Sequence, residues 1–165
     1  MCSLNLNNIC GIARTMITMD CSLELDCSEK KFFKILTDYE NLSKYLPRQL
    51  QKIEILDEHD NYTTIQATVL VRSMIKKAFL QKIRIEKKSE NNLSIEILDG
   101  FAKGSHVTIS IQIQKEKTLC VVNLDIKLSL KTVILYPIIK REYKSFLLGT
   151  FTKISIDAKQ AKEEF

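Results

Sequence analysis

The sequence predicts an α+β domain: a curved antiparallel sheet of about seven strands wrapped round one long C-terminal helix, with two short helices after the first strand. Three observations predict it. From Lys52 to Leu130 apolar and polar residues alternate between turn signals, the pattern of antiparallel strands with one wet face. From Tyr136 the apolar period lengthens to that of a helix. Ahead of the sheet, a short apolar stretch at helical spacing runs into Pro47.

Each element follows in order. Through residues 17–25, Met19, Cys21, Leu23 and Leu25 alternate with Thr18, Asp20, Ser22 and Glu24, which is a half-buried strand. Ser28 then offers an N-cap hydroxyl, and Glu29 lies where a helix N-terminus favours negative charge. Phe32, Phe33, Ile35, Leu36 and Tyr39 follow at helical spacing. Asp38 and Asn41 break this helix into a second turn or helix that ends at Pro47, because the residue before a proline is driven out of the helical region.

Strands are predicted over residues 53–56, 62–71, 78–87, 93–98, 107–114 and 119–130. Ile65, Ala67, Val69 and Val71 share a face, as do Phe79, Ile83 and Ile85 with Gln81. Val107, Ile109, Ile111 and Ile113 are in phase, and so are Val122, Leu124, Ile126, Leu128 and Leu130. Pro137 suits the first turn of a helix, where its missing N–H is not needed. Tyr136, Ile139, Tyr143, Phe146, Leu147, Thr150, Ile154, Ala158 and Ala161 then form one apolar stripe. The helix should run about 25–30 residues, roughly 40 Å, enough to cross a whole sheet.

The chain has 165 residues, 45% hydrophobic and 27% charged, the composition of one globular domain. Residues 1–15 are expected to form a disordered extension and residues 16–163 the domain. Those first residues lack a basic, then continuously apolar, leader pattern, and no apolar run approaches the roughly 20 residues a membrane helix needs. A cytoplasmic location is the expectation. The five cysteines are scattered without a CxxC, and the two histidines, His59 and His106, stand apart. Neither a disulfide framework nor a metal site is expected, and no cofactor.

Net charge is +5, unevenly spread: Arg72, Lys76, Lys77, Lys82, Arg84, Lys87 and Lys88 face one acid, Glu86, in the same stretch. Such a field favours anionic surfaces, lipid headgroups before RNA or a ribosome. Met74 and Ile75 lie at a predicted hairpin tip between Arg72 and the pair Lys76 and Lys77, which suits peripheral contact with an anionic membrane.

This order of elements resembles the helix-grip superfamily that joins START lipid-transfer domains, pollen-allergen-like proteins, polyketide cyclases and coenzyme-Q-binding proteins. The resemblance covers about residues 17–162. Its sharpest piece is FKILTDYENLSKYLP, in which Asp38, Leu42, Tyr45, Leu46 and Pro47 take the positions of the cyclase and coenzyme-Q-binding branch. The loop Asp99-Gly100-Phe101-Ala102-Lys103-Gly104 resembles that branch's Gly-rich turn, though it lacks the proline after the first glycine and the later tryptophan. The resemblance implies a cavity between sheet and helix for a lipid, quinone or isoprenoid-like molecule, held as carrier or sensor. A cyclase-like enzyme and a partner-binding module are the rival readings.

The residues expected to line that cavity are Phe79, Gln81, Ile83, Phe101, Ile109, Ile111, Leu124 and Ile126 from the sheet side, with Ile139, Tyr143, Phe146 and Leu147 from the helix. Periodicity alone is equally served by a filled core; the resemblance implies the open one. Gln81 and Tyr143 are polar among apolar neighbours, and a buried amide or phenol wants a hydrogen-bond partner, which a ligand oxygen could supply. No catalytic residue is assigned. There is no GxSxG elbow, the histidines sit in a polar turn and at a strand start, and the carboxylates occur singly.

Overall fold

The computed structural model describes residues 4–5, 14–46, 50–71, 77–115, 117–129 and 136–160. The elements are β1 (Leu4–Asn5), β2 (Arg14–Leu25), α1 (Glu29–Leu36), a 3-10 turn (Leu42–Lys44), β3 (Leu50–Glu58), β4 (Tyr62–Val71), β5 (Lys77–Ser89), β6 (Asn92–Asp99), β7 (His106–Gln114), β8 (Lys117–Ser129) and α2 (Tyr136–Gln160). All strands pair antiparallel in one sheet of order β1-β2-β8-β7-β6-β5-β4-β3. Seven of them are long, and the two-residue β1 adds an edge against Thr18 and Met19. The first long strand starts at Arg14, three residues ahead of the predicted 17.

The topology explains the two short helical pieces. β2 sits beside the last strand, β8, whereas β3 starts at the opposite edge of the sheet. The chain must cross the sheet between them, and α1 with the 3-10 turn makes that crossing. Ser28 caps α1, its hydroxyl accepting from Lys31 N at 3.3 Å. Thr37 ends α1, and Asp38 Oδ1 accepts from Asn41 N at 3.3 Å, so the helix stops where the sequence places its break. Register shifts lie between Ile55 and Asp57 and between Lys82 and Ile83; such irregularities bend strands and help the sheet curve round α2.

Two expectations about faces need correction. Ile113 holds the phase of Ile109 and Ile111 but is 66% exposed. It pairs with Thr118 near the turn into β8, at the end of β7. On α2 the buried arc is wider than one stripe: Phe151, 3% exposed, meets Phe32 edge to face at 5.6 Å. α1 packs on α2 as well as on β7, so α2 has a second neighbour besides the sheet. Among the described residues no helix is long and apolar enough to cross a membrane.

Candidate functional site

The concave face of the sheet carries two apolar clusters. The larger joins Ile65, Ile85, Ile109, Ile111, Cys120 and Val122 of the sheet to Phe32, Phe33 and Leu36 of α1 and Leu147, Phe151 and Ile154 of α2. The smaller joins Ile17, Met19, Leu124, Ile126 and Leu128 of β2 and β8 to Ala102 in the β6–β7 loop. Val107 and Tyr143 pack against both.

Where the two clusters meet, burial falls. Phe79, Ile83, Ile97, Phe101, Val107, Tyr143 and Phe146 are only half-buried. Yet Ile83 and Ile97 face each other across β5 and β6 and share the phase of the buried Ile85 and Leu93. An inward apolar side chain keeps accessible surface only where nothing packs over it. Phe79 and Phe101 close one side of this region, ring centroids 5.1 Å apart at 64°.

Gln81 lies among these residues, 2% exposed, and among the described residues neither its Oε1 nor its Nε2 has a hydrogen-bond partner. Its room comes from two small neighbours. Ala67, 0% exposed, is its register partner on β4. Gly100 lies at its other side with φ +112°, and a Cβ there would collide with Gln81 Oε1 and stand 2.6 Å from Leu80 O. A buried amide left unpaired costs about 1–3 kcal/mol, so the position is held against its own desolvation. On α2, Thr150 also buries a hydroxyl without a hydrogen-bond partner among the described residues.

The predicted lining residues thus divide. Phe79, Gln81, Ile83, Phe101, Tyr143 and Phe146 surround the loosely covered region. Ile109, Ile111 and Leu147 are buried in the larger cluster, and Leu124 and Ile126 in the smaller. The side chain of Ile139 lies outside the described residues, as do Arg72, Met74, Ile75 and Lys76; Lys77 opens β5 and its side chain is likewise outside. Ile97, Val107 and the two small residues flanking Gln81 were not singled out from the sequence. The phase of Ile109 pointed to Val107 and that of Leu93 to Ile97; Ala67 and Gly100 were read as a strand position and a turn glycine, with nothing local to bring them to Gln81.

Ser105, His59 and Cys120 have other surroundings than a catalytic group would need. Ser105, next to His106, is fully buried and donates to Ala102 O at 2.6 Å while accepting from Lys127 N at 2.8 Å. It locks the loop to β8. His59 contacts Asp57 Oδ2 at 3.0 Å in the exposed β3–β4 turn and stacks near Tyr62. Burial, with Cys21 nearby, pushes the Cys120 thiol up to about 12, so it holds its proton at neutral pH. Among the described residues no group of three or more His, Cys, Asp or Glu is placed to hold a metal. Of the basic run, Arg84 lies 4.8 Å over the Tyr62 ring and Lys88 pairs with Glu86 at 2.6 Å.

No protein-family model matches the chain, and no curated protein matches it in sequence. Solved structures do match. A START-superfamily protein from Mycobacterium smegmatis superposes with a TM-score of 0.67 at 14% identity, over 84% of this chain and 96% of that one. The Zhui aromatase/cyclase from Streptomyces gives 0.69 at 14%, over 85% and 94%. Truncated norcoclaurine synthase from Thalictrum flavum gives 0.69 at 15%, over 93% and 100%. With an antiparallel sheet curved round a C-terminal helix and these likenesses across most of each chain, the protein has the helix-grip fold.

Proposed function

We propose that the protein holds a hydrophobic small molecule, a lipid, quinone or isoprenoid-like compound, between the sheet and α2, as a carrier or sensor. One observation carries the reading: inward-facing apolar residues stay half-buried around the unpartnered, buried amide of Gln81. A pocket of mostly apolar walls with few polar groups is the common form of a small-molecule site. The likeness to a START-superfamily protein supports the same reading.

Native mass spectrometry of the purified protein, with titration by the uncharged fluorophore Nile red, tests it. A co-purifying apolar mass, or saturable Nile red binding, is the expected result. A bare protein mass together with no dye binding would sink the proposal, and nucleic acid in the preparation would favour a partner-binding module.

A second reading, cyclase-like chemistry, is favoured by the same amide beside the Phe79–Phe101 pair, which could orient a carbonyl against an aromatic wall. The likeness to an aromatase/cyclase supports it. In such a site holding the substrate in a reactive fold supplies much of the rate. Turnover of a poly-β-ketone thioester, absent in Gln81→Met, separates it from carriage. Peripheral membrane contact through Arg72, Met74, Ile75, Lys76 and Lys77 is part of the proposal on sequence grounds. Salt-sensitive cosedimentation with anionic but not neutral vesicles is its test.

A further inference from the structure

We infer that the molecule held in the grip presents to Gln81 an uncharged group that both donates and accepts hydrogen bonds, such as a carboxamide, lactam or hydroxy-ketone, and that carboxylates and phosphates are rejected. The inference rests on the reading that this region holds an apolar small molecule, and adds what its polar end must be.

Both halves of the Gln81 amide are buried and unpartnered among the described residues. One half donates and the other accepts, so only a ligand group with both capacities satisfies it fully. The amide lies between two small residues: Ala67 is its register partner, and a Cβ at Gly100 would collide with its Oε1.

Among the described residues, none with a charge is buried. The buried polar residues among those described are Gln81 together with threonines and serines, and none carries a charge. An anion placed beside Gln81 would lose its water with no cation among the described buried residues to replace it. Ser105 cannot take over, since its hydroxyl is committed to Ala102 O and Lys127 N. The rings of Phe79 and Phe101 add apolar surface to the same region, in which the Tyr143 phenol is a second polar side chain.

Competition against Nile red by three ligands of one chain length tests this: decanamide, methyl decanoate and decanoate, at neutral pH. In the parent, decanamide should compete at least about tenfold better than decanoate. Gln81→Met keeps the length of the side chain and removes the amide. It should lower the preference for decanamide over methyl decanoate, compared within each protein, by about tenfold, the worth of one hydrogen bond of this kind. Equal competition by decanoate and decanamide in the parent overturns the inference without any variant. So does an amide-to-ester ratio unchanged by Gln81→Met, the result expected if a trapped water alone satisfies Gln81. Failure of the parent to bind Nile red removes the underlying reading as well, and so is distinguishable from both.

Discussion

Replacing Gly100 with alanine tests the close approach of Gly100 to Gln81. Gly100 has φ +112°, outside the regions that L residues populate, and strain of this kind costs about 1–3 kcal/mol. A Cβ would also stand 2.6 Å from Leu80 O and 2.7 Å from Gln81 Cδ. The side chain can yield, but the Leu80 carbonyl belongs to β5, where Leu80 is paired with Thr68 of β4. Overpacking against such backbone adds roughly 1–3 kcal/mol. The sum is about 2–6 kcal/mol, and for a domain of this size its middle lowers Tm by roughly 10 °C.

Gly104 is the internal control. Its φ is +82°, yet a Cβ there meets only Lys127 Cδ, at an ordinary 3.6 Å. Gly104→Ala should therefore cost about 1–2 kcal/mol, the backbone term alone. Thermal unfolding followed by far-UV circular dichroism suits a chain with no tryptophan. Equal losses for the two variants would refute the steric argument, and a Gly100→Ala protein as stable as the parent would refute the close approach itself.

The same structure fixes other outcomes. Gln81→Met should stabilise the unliganded protein by about 1–2 kcal/mol, because it removes an unpaired buried amide; a lower urea midpoint would mean the amide has a partner. Phe32→Ala, at a fully buried ring packed on Phe151, should cost about 3–5 kcal/mol by the same assay. Phe146→Trp, at a half-buried position, should keep the fold and weaken Nile red binding. Ile126→Trp, inside the packed smaller cluster, should lose roughly 1–3 kcal/mol of stability, and the reverse ranking in melting and dye titration would misplace the open region. Burial, then Glu58, pushes the Tyr39 phenol from 10.0 up to about 12. The folded state favours the protonated phenol, so its contribution is complete below pH 10.0 and lost as pH rises through about 12. Tyr39→Phe should show a smaller fall in urea midpoint across that window than the parent.

Much of the fold was legible because its signals are local. The alternation of Met19, Cys21 and Leu25, or of Ile65 and Ala67, is set by the pleat of each strand and survives folding as burial. Ser28 marked the start of α1, and Asp38 with Asn41 marked its end, through contacts within a few residues. The inward direction of Gln81 was readable from its phase with Phe79 and Ile83. The wider buried arc of α2 was not, since Phe151 is covered by α1 from more than a hundred residues earlier in the chain.

What the sequence by itself determined is the order of elements, the inward face of each strand and the type of residue at each inward position. The tertiary structure alone decided which of those positions are packed and which are loosely covered. Ile85 and Ile83 share a strand and a phase, yet one is buried and the other half-buried. The difference lies in what stands across from each. It also decided that Gln81 has no hydrogen-bond partner among the described residues, with Ala67 of β4 and Gly100, just past β6, arriving on either side. Period reports which way a side chain points. Whether anything meets it there depends on atoms distant in the chain, and these only the folded structure brings together.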